Sequence, residues 1–210
     1  MLMKYEYDGV EYEGDDFYHY PYTNVLMNRF NIRNNDNLQA VERQLSYAKI
    51  TYLSANPLKG VLDLKYLQKI HQFIFKEIYT WAGHIRGGQF FSKGTTEFCR
   101  ASMIYAYADE IFSKLRNEKW LRGLFREQFI ERLAYYMGEI NALHPFREGN
   151  GRTQRVFFEE LARRARYEIN FGNVELNELL SADISAYNKN YVPMIELLSK
   201  KIVSPLNKQR

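Results

Sequence analysis

The chain has 210 residues, 46% of them hydrophobic, which suits one domain with a sizeable core and argues against global disorder. Its one cysteine, Cys99, excludes an internal disulfide, no zinc-ligand spacing is present, and neither an apolar run of transmembrane length nor a signal-peptide pattern occurs. Net charge is +4, but residues 1–20 hold six acids against Lys4 alone, so the other 190 carry +9, which suits a nucleotide or an acidic partner.

Residues 1–20 are acidic and tyrosine-rich, with no helical period, and read as a loosely packed arm ahead of a body spanning 21–210. Asp36 is a candidate cap for a helix with Leu38, Val41, Leu45 and Ala48 on one face. Asn56-Pro57 and Gly60 break it. Asp63 is the next cap, followed by a stripe of Leu67, Ile70, Ile74 and Ile78 that stops by Gly83. Residues 85–100 read as a short hairpin turning at Lys93-Gly94, the one convincing β signal in the chain. Helical patterns follow at 101–116, at 126–141 with Phe129, Leu133, Met137 and Ile140 inward, and at 150–167 with Phe157, Leu161 and Ala165 inward. Two more lie near 175–187 and 191–202. The expected fold class is all-α, a compact helical bundle with one short β-hairpin. Arg163, Arg164 and Arg166 form the densest basic cluster. They fall late in a helix, where the dipole favours cations, so nucleic-acid binding is not expected.

The loop before the 150–167 helix carries the chemistry. Residues 144–155 read His-Pro-Phe-Arg-Glu-Gly-Asn-Gly-Arg-Thr-Gln-Arg. Pro145 disfavours helical geometry at His144, and a histidine titrating near neutrality can take a proton from a hydroxyl. Phe146 is an anchor inside a polar loop. Glu148 is a lone carboxylate of the kind that holds Mg²⁺ together with phosphate oxygens. Gly149, Asn150 and Gly151 let backbone N–H groups at a helix start approach an anion. Arg152 and Arg155, three apart, share a face of the first turns and add two cationic clamps. A helix–turn–helix corner would account for the proline, the glycines and the phenylalanine, but not for the base, the acid and both arginines at fixed spacing. Positioning and electrostatics of this kind suit transfer of a phosphorus-centred group.

These twelve residues are identified with the signature of the Fic family, His-Pro-Phe-x-Glu/Asp-Gly-Asn-Gly-Arg-x-x-Arg, without a departure. Tyr20-Pro21-Tyr22-Thr23-Asn24-Val25-Leu26, Trp81-Ala82-Gly83 with Arg86, and the pair Phe157-Phe158 also resemble Fic-core segments. The resemblance covers about 20–200. It implies transfer of AMP from ATP to a Ser, Thr or Tyr hydroxyl of a target protein, with His144 as general base and Glu148 on Mg²⁺. Gly149, Asn150 and Gly151 would form the anion hole, Arg152 would meet the β phosphate and Arg155 the γ phosphate. Phosphorylating Doc-like relatives carry Lys where this chain has Gly151. The hairpin resembles the family's flap, whose Ser92, Lys93, Gly94 and Thr95 would dock an extended target segment by strand addition. His71, His84 and His19 are not candidates for catalysis, and Tyr187 and Tyr191 read as core residues that could border the adenine pocket.

Many Fic enzymes are restrained by a helix bearing Ser/Thr-x-x-x-Glu-Gly/Asn. No Ser or Thr here is followed four residues later by Glu. The resemblance then implies a separate small antitoxin that supplies the helix, making this chain the cytoplasmic toxin of a bacterial toxin–antitoxin pair. A type II topoisomerase subunit is an expected target class. The alternatives are a Fic domain of a host-delivered effector using ATP or another nucleotide, and a catalytically silent protein-binding module. No membrane partner is expected.

Overall fold

The computed structural model describes residues 4–7, 10–13, 18–88, 91–93 and 96–203. Seven α-helices among them build the body: α1 Asn35–Ala55, α2 Leu64–Phe75, α3 Ile104–Asn117, α4 Arg126–Leu143, α5 Asn150–Arg164, α6 Leu176–Tyr187 and α7 Val192–Lys201. Strands β1 Lys4–Tyr7 and β2 Val10–Glu13 form one antiparallel ribbon, and β3 Ser92–Lys93 and β4 Thr96–Glu97 a second. The bundle with a hairpin is as the sequence reads. The β1–β2 ribbon was not anticipated there. Its period-two pattern, with Tyr5 and Tyr7 facing Tyr12 and Val10 across the ladder, was hidden by the acids between them.

Local chemistry sets the helix starts. Asp63 caps α2 by accepting from the Tyr66 N–H at 2.8 Å, as expected. The cap of α1 is Asn34, which accepts from the Asn37 N–H at 3.0 Å; Asp36 instead sits in the first turn, where its charge favours the dipole. The buried stripe of α1 also differs from the expected one. It runs Leu38, Glu42, Ser46 and Leu53, while Ala48 is exposed. Two polar residues therefore face inward on α1.

Helix α4 is the central element, with Phe129, Leu133, Met137 and Ile140 all buried. Helices α3, α5, α6 and α7 pack on it, and α2 packs on α5. Phe157, Leu161 and Ala165 of the α5 region close the core beside them. The arm ends sooner than expected. Tyr18, His19 and Tyr20 are buried, and His19 bridges to Leu26. The β3–β4 register pairs Ser92 with Glu97 and Lys93 with Thr96, while Gly94 and Thr95 of the expected flap lie outside the described residues. No helix among the described residues is long and apolar enough to cross a membrane.

Candidate active site

The site begins where α4 stops. His144 adopts φ 41° and ψ 61°, a left-handed conformation that turns the chain, and Pro145 cannot continue the helix. His144 is 6% exposed. Its ring stacks on Phe98 at 3.7 Å between centroids and lies 5.4 Å from Phe91. Those two phenylalanines flank the β3–β4 flap and face each other, the Phe98 N–H donating to the Phe91 carbonyl at 2.9 Å. Arg86 locks this corner. Its Nε donates to the His144 carbonyl at 2.8 Å and its N–H to the Pro145 carbonyl at 2.9 Å, while its guanidinium also reaches the Cys99 carbonyl.

The loop from Phe146 to Gly149 is closed on itself. Asn150 Oδ1 accepts from the Phe146 N–H at 2.9 Å, and Asn150 Nδ2 donates to the Phe146 carbonyl at 2.7 Å. The Asn150 side chain is thus committed to holding the loop, and only its backbone N–H is left for the anion-hole role the sequence suggests. Gly149 sits at φ 79° as the N-cap of α5. Beyond it, the first N–H groups of α5 have no intrahelical acceptor and lie at the positive end of the dipole. Glu148 Oε1 accepts from the Gly149 N–H at 2.7 Å. Of the described residues, no group of three or more His, Cys, Asp or Glu side chains could hold a metal ion by itself. A cation at Glu148 would draw on phosphate oxygens and water for its remaining ligands.

His71 has a larger part than a packed histidine. It is fully buried, stacked on Phe146 with centroids 4.0 Å apart. Its Nδ1 accepts from the Gly83 N–H at 2.7 Å, so the proton resides on Nε2, which donates to the Glu148 carbonyl at 2.9 Å. Burial pushes its pKa down from 6.5 to about 4. Between those values the unfolded chain binds a proton that the folded chain refuses. The His71 contribution is therefore complete above pH 6.5 and is lost as the pH falls toward 4, by roughly 3 kcal/mol in all. Urea unfolding at pH 7 and pH 5 should show a larger acid loss for the wild type than for His71→Gln; equal losses would remove this role.

The two signature arginines have different partners. Arg152 turns toward α1, where its guanidinium meets Glu42 and Ser46, and it touches Glu148 Oε1 at 3.3 Å. Arg155 is partnered electrostatically with Asp183 of α6 and Glu159. Burial and the neighbouring Arg152 charge push the Arg155 pKa down, against the pull of those carboxylates. Burial also pushes Asp183 up to about 7, against the pull of Arg155. Arg152 thus meets carboxylates of α1 and of the loop, while Asp183 and Glu159 are the acidic neighbours felt by Arg155.

His144, Glu148, Gly149, Asn150, Gly151, Arg152 and Arg155 are thus gathered at the α4–α5 corner, and Phe91 and Phe98 bring the flap base onto the His144 ring. Ser92 and Lys93 lie in β3. Tyr187 is a tether rather than a plain core residue: its hydroxyl donates to the Glu97 carbonyl at the foot of the flap. Tyr191 donates to Glu139 at 3.2 Å. Cys99 is half-buried, its N–H donating to the Ala142 carbonyl at 2.9 Å, and burial pushes its thiol pKa up. Arg163 and Arg164 both pair with Glu160, a buried carboxylate near the end of α5. Sequence reasoning missed Glu42, His19 and Asp183. His19 faces Arg147 of the signature loop at 3.0 Å. For Glu42 a signal existed: Leu38, Glu42 and Ser46 recur every four residues, on one helical face.

The Fic/DOC family profile matches residues 61–162. A probable protein adenylyltransferase Fic from Escherichia coli K12 is 34% identical over 192 residues, covering 91% of this chain and 94% of that protein. The chain belongs to the Fic family. Protein adenylyltransferase VbhT from Bartonella schoenbuchensis is 39% identical over 193 residues, 91% of this chain, and the chain spans 40% of VbhT's length. The N-terminal Fic domain of a VirB-translocated Bep effector from Bartonella quintana, solved with bound ADP, matches with a TM-score of 0.84 at 28% identity, over 90% of this chain and 95% of that one. BepC from Bartonella tribocorum, solved with AMPPNP, shares the fold at a TM-score of 0.85 and 24% identity, over 90% and 98% of the two chains. The helices and hairpin of this Fic domain therefore follow an architecture seen in solved relatives, with the signature loop at its α4–α5 corner.

Proposed function

We propose that this Fic protein transfers AMP from ATP to a hydroxyl side chain of a target protein. The observation that carries the reading is the convergence of His144, the start of α5 and both arginines on one loop that His71, Asn150 and Arg86 hold rigid. His144 removes the proton from the target hydroxyl, and the oxygen attacks the α phosphorus. The bond from the α phosphorus to the bridging oxygen breaks, and pyrophosphate leaves. The N–H groups at the start of α5 receive the charge that develops on the α phosphate, and Arg152 and Arg155 hold the departing β and γ phosphates. Glu148 would hold Mg²⁺, which neutralises polyphosphate charge when bound. The curated relatives are named protein adenylyltransferases, and the effector domain at 28% identity was crystallised with ADP. Gly151 also favours nucleotidyl transfer. A Cβ there would lie 3.3 Å from the Arg155 guanidinium, so a Lys at 151 would crowd that clamp.

The test is labelling of bacterial lysate in Mg²⁺ with ATP carrying the label on the α or the γ phosphate. A protein band labelled from the α phosphate alone is expected; label from the γ phosphate would replace this reading by phosphate transfer. Arg155→Ala should weaken ATP binding roughly tenfold, the scale of a lost charge-assisted contact, and leave AMP binding unchanged. Calorimetric titration with both nucleotides checks it.

We further propose the toxin role, with an antitoxin helix supplying the missing carboxylate and a type II topoisomerase subunit as target. Its support is the absence of any Ser or Thr followed four residues later by Glu. Growth arrest on expression in bacteria supports it, and normal growth counts against it. The effector reading rests on the VirB-translocated structural relatives.

A further inference from the structure

Phe98 touches the His144 imidazole, and the chain around it is tied to a different element at each of three successive residues. The Glu97 carbonyl accepts from the Tyr187 hydroxyl of α6, the Phe98 N–H donates to the Phe91 carbonyl at 2.9 Å, and the Cys99 N–H donates to the Ala142 carbonyl of α4 at 2.9 Å. Two of these ties are main-chain bonds. The third is a single side-chain hydroxyl, and it comes from a helix that carries no signature residue. The Tyr187 ring also meets the Phe98 ring, with centroids 6.3 Å apart and planes at 73°. The His144 imidazole lies 3.7 Å from the same ring, with planes at 25°. An edge-on contact with one partner and a stacked contact with another leave Phe98 little freedom to turn.

Tyr187 is itself firmly based. One residue before it, Ala186 rests on Gly138 of α4: a Cβ at Gly138 would lie 3.2 Å from the Ala186 carbonyl oxygen and 3.3 Å from the Ala186 Cβ. Just after it, Lys189 and Tyr191 both reach the buried Glu139 of α4, at 2.5 and 3.2 Å. The end of α6 is thus fastened to the central helix on both sides of Tyr187, and the tyrosine spans from that base to the foot of the flap. A general base works only within hydrogen-bond reach of the proton it takes, and a misplacement of about 1 Å can cost a hundredfold in rate. We propose that Tyr187 is a positioning residue for the general base: through the Glu97 carbonyl and the Phe98 ring, it keeps the His144 imidazole aimed at the hydroxyl to be deprotonated. This rests on the AMP-transfer reading above. Tyr187 takes no proton in the reaction and acts through Phe98.

The test compares the wild type, Tyr187→Phe, Phe98→Leu and the double variant. Proton NMR reads the His144 ring, its signals assigned by their loss in His144→Asn. Stacked on Phe98, the carbon-bound protons of the imidazole are shielded by that ring and resonate upfield. In Tyr187→Phe they should move back toward the position of free histidine, and in Phe98→Leu further still. Transfer of label from α-labelled ATP into bacterial lysate, measured across an ATP series, reads the chemistry. Tyr187→Phe should lower the maximum rate roughly fivefold, the scale of one lost hydrogen bond, with the KM for ATP and the melting temperature unchanged. In the Phe98→Leu background the same change should cost less than about twofold, because the two residues act in series. Unmoved His144 signals in Tyr187→Phe are what a merely structural tyrosine would give, and they overturn the proposal. So does a full further fivefold loss in the double variant, or a rise in the KM for ATP matching the fall in rate, which would place the tyrosine at the nucleotide. If Phe98→Leu does not fold, Tyr187→Phe decides alone. A wild type that labels no protein from the α phosphate removes AMP transfer, while the ring signals still decide whether Tyr187 holds the His144 imidazole.

Discussion

His144→Ala should lower AMP transfer by about three orders of magnitude, within the range supplied by a positioned general base. The imidazole stacks on Phe98 and lies beside Phe91 at the base of the flap, in the loop that leads into α5. The substitution leaves the groups that bind phosphate in place, so ATP affinity should change little. Backbone geometry needs a control, because alanine at φ 41° carries a penalty of roughly 1–2 kcal/mol. Asparagine accepts the left-handed region more readily and brings no base of suitable pKa. His144→Asn should therefore match the alanine variant in lost transfer while melting closer to the wild type. Rates from α-labelled ATP, set beside thermal unfolding, separate the two effects. Near-normal transfer by either variant would remove the general-base assignment.

Gly149→Ala is expected to be the most disruptive single methyl addition in the signature loop. A Cβ at Gly149 would lie 2.4 Å from two ring atoms of Phe75, and the residue sits at φ 79°. Phe75 is fully buried beside His71 and cannot swing away without disturbing the α2 face that grips the loop. The left-handed penalty and the overpacking together should cost about 2–4 kcal/mol. The loop itself offers the easier relief, by lifting from α2 and breaking the bond from His71 to the Glu148 carbonyl. ATP binding should then fall more steeply than overall stability, because the N–H groups of α5 lose their aim. Urea unfolding and nucleotide titration on the same preparation check both parts. Wild-type stability together with wild-type ATP affinity would contradict this account of the glycine.

The helices were legible because their apolar residues recur at helical spacing, as in Phe129, Leu133, Met137 and Ile140 of α4. The signature loop was legible as a set of chemical groups, since its twelve residues are contiguous. What holds those groups was not. Glu42, His71 and Arg86 come from segments far away in the chain, and nothing local distinguishes a histidine on an apolar face that clasps a loop from one that merely fills space. Nothing in the sequence separates Asp36 from Asn34 as the cap of α1, because both are short polar residues near the same helix start. The β1–β2 ribbon was obscured because its tyrosines alternate with acids in a segment whose composition reads as an arm. The different partners of Arg152 and Arg155 required knowing which neighbouring groups each one meets.

The clasp between His71 and the Glu148 carbonyl joins positions 77 residues apart. Closing that distance costs chain entropy, and the contact returns it only once α2 lies against α5. The loop therefore takes its working shape late, as part of the core's own assembly. A peptide of residues 144–155 would carry every reactive group of the site with nothing to shape them, and a chain whose α2 had not yet docked would be equally inert. The working shape of the signature loop is thus coupled to completed folding, and a half-folded copy emerging from synthesis does not yet possess it.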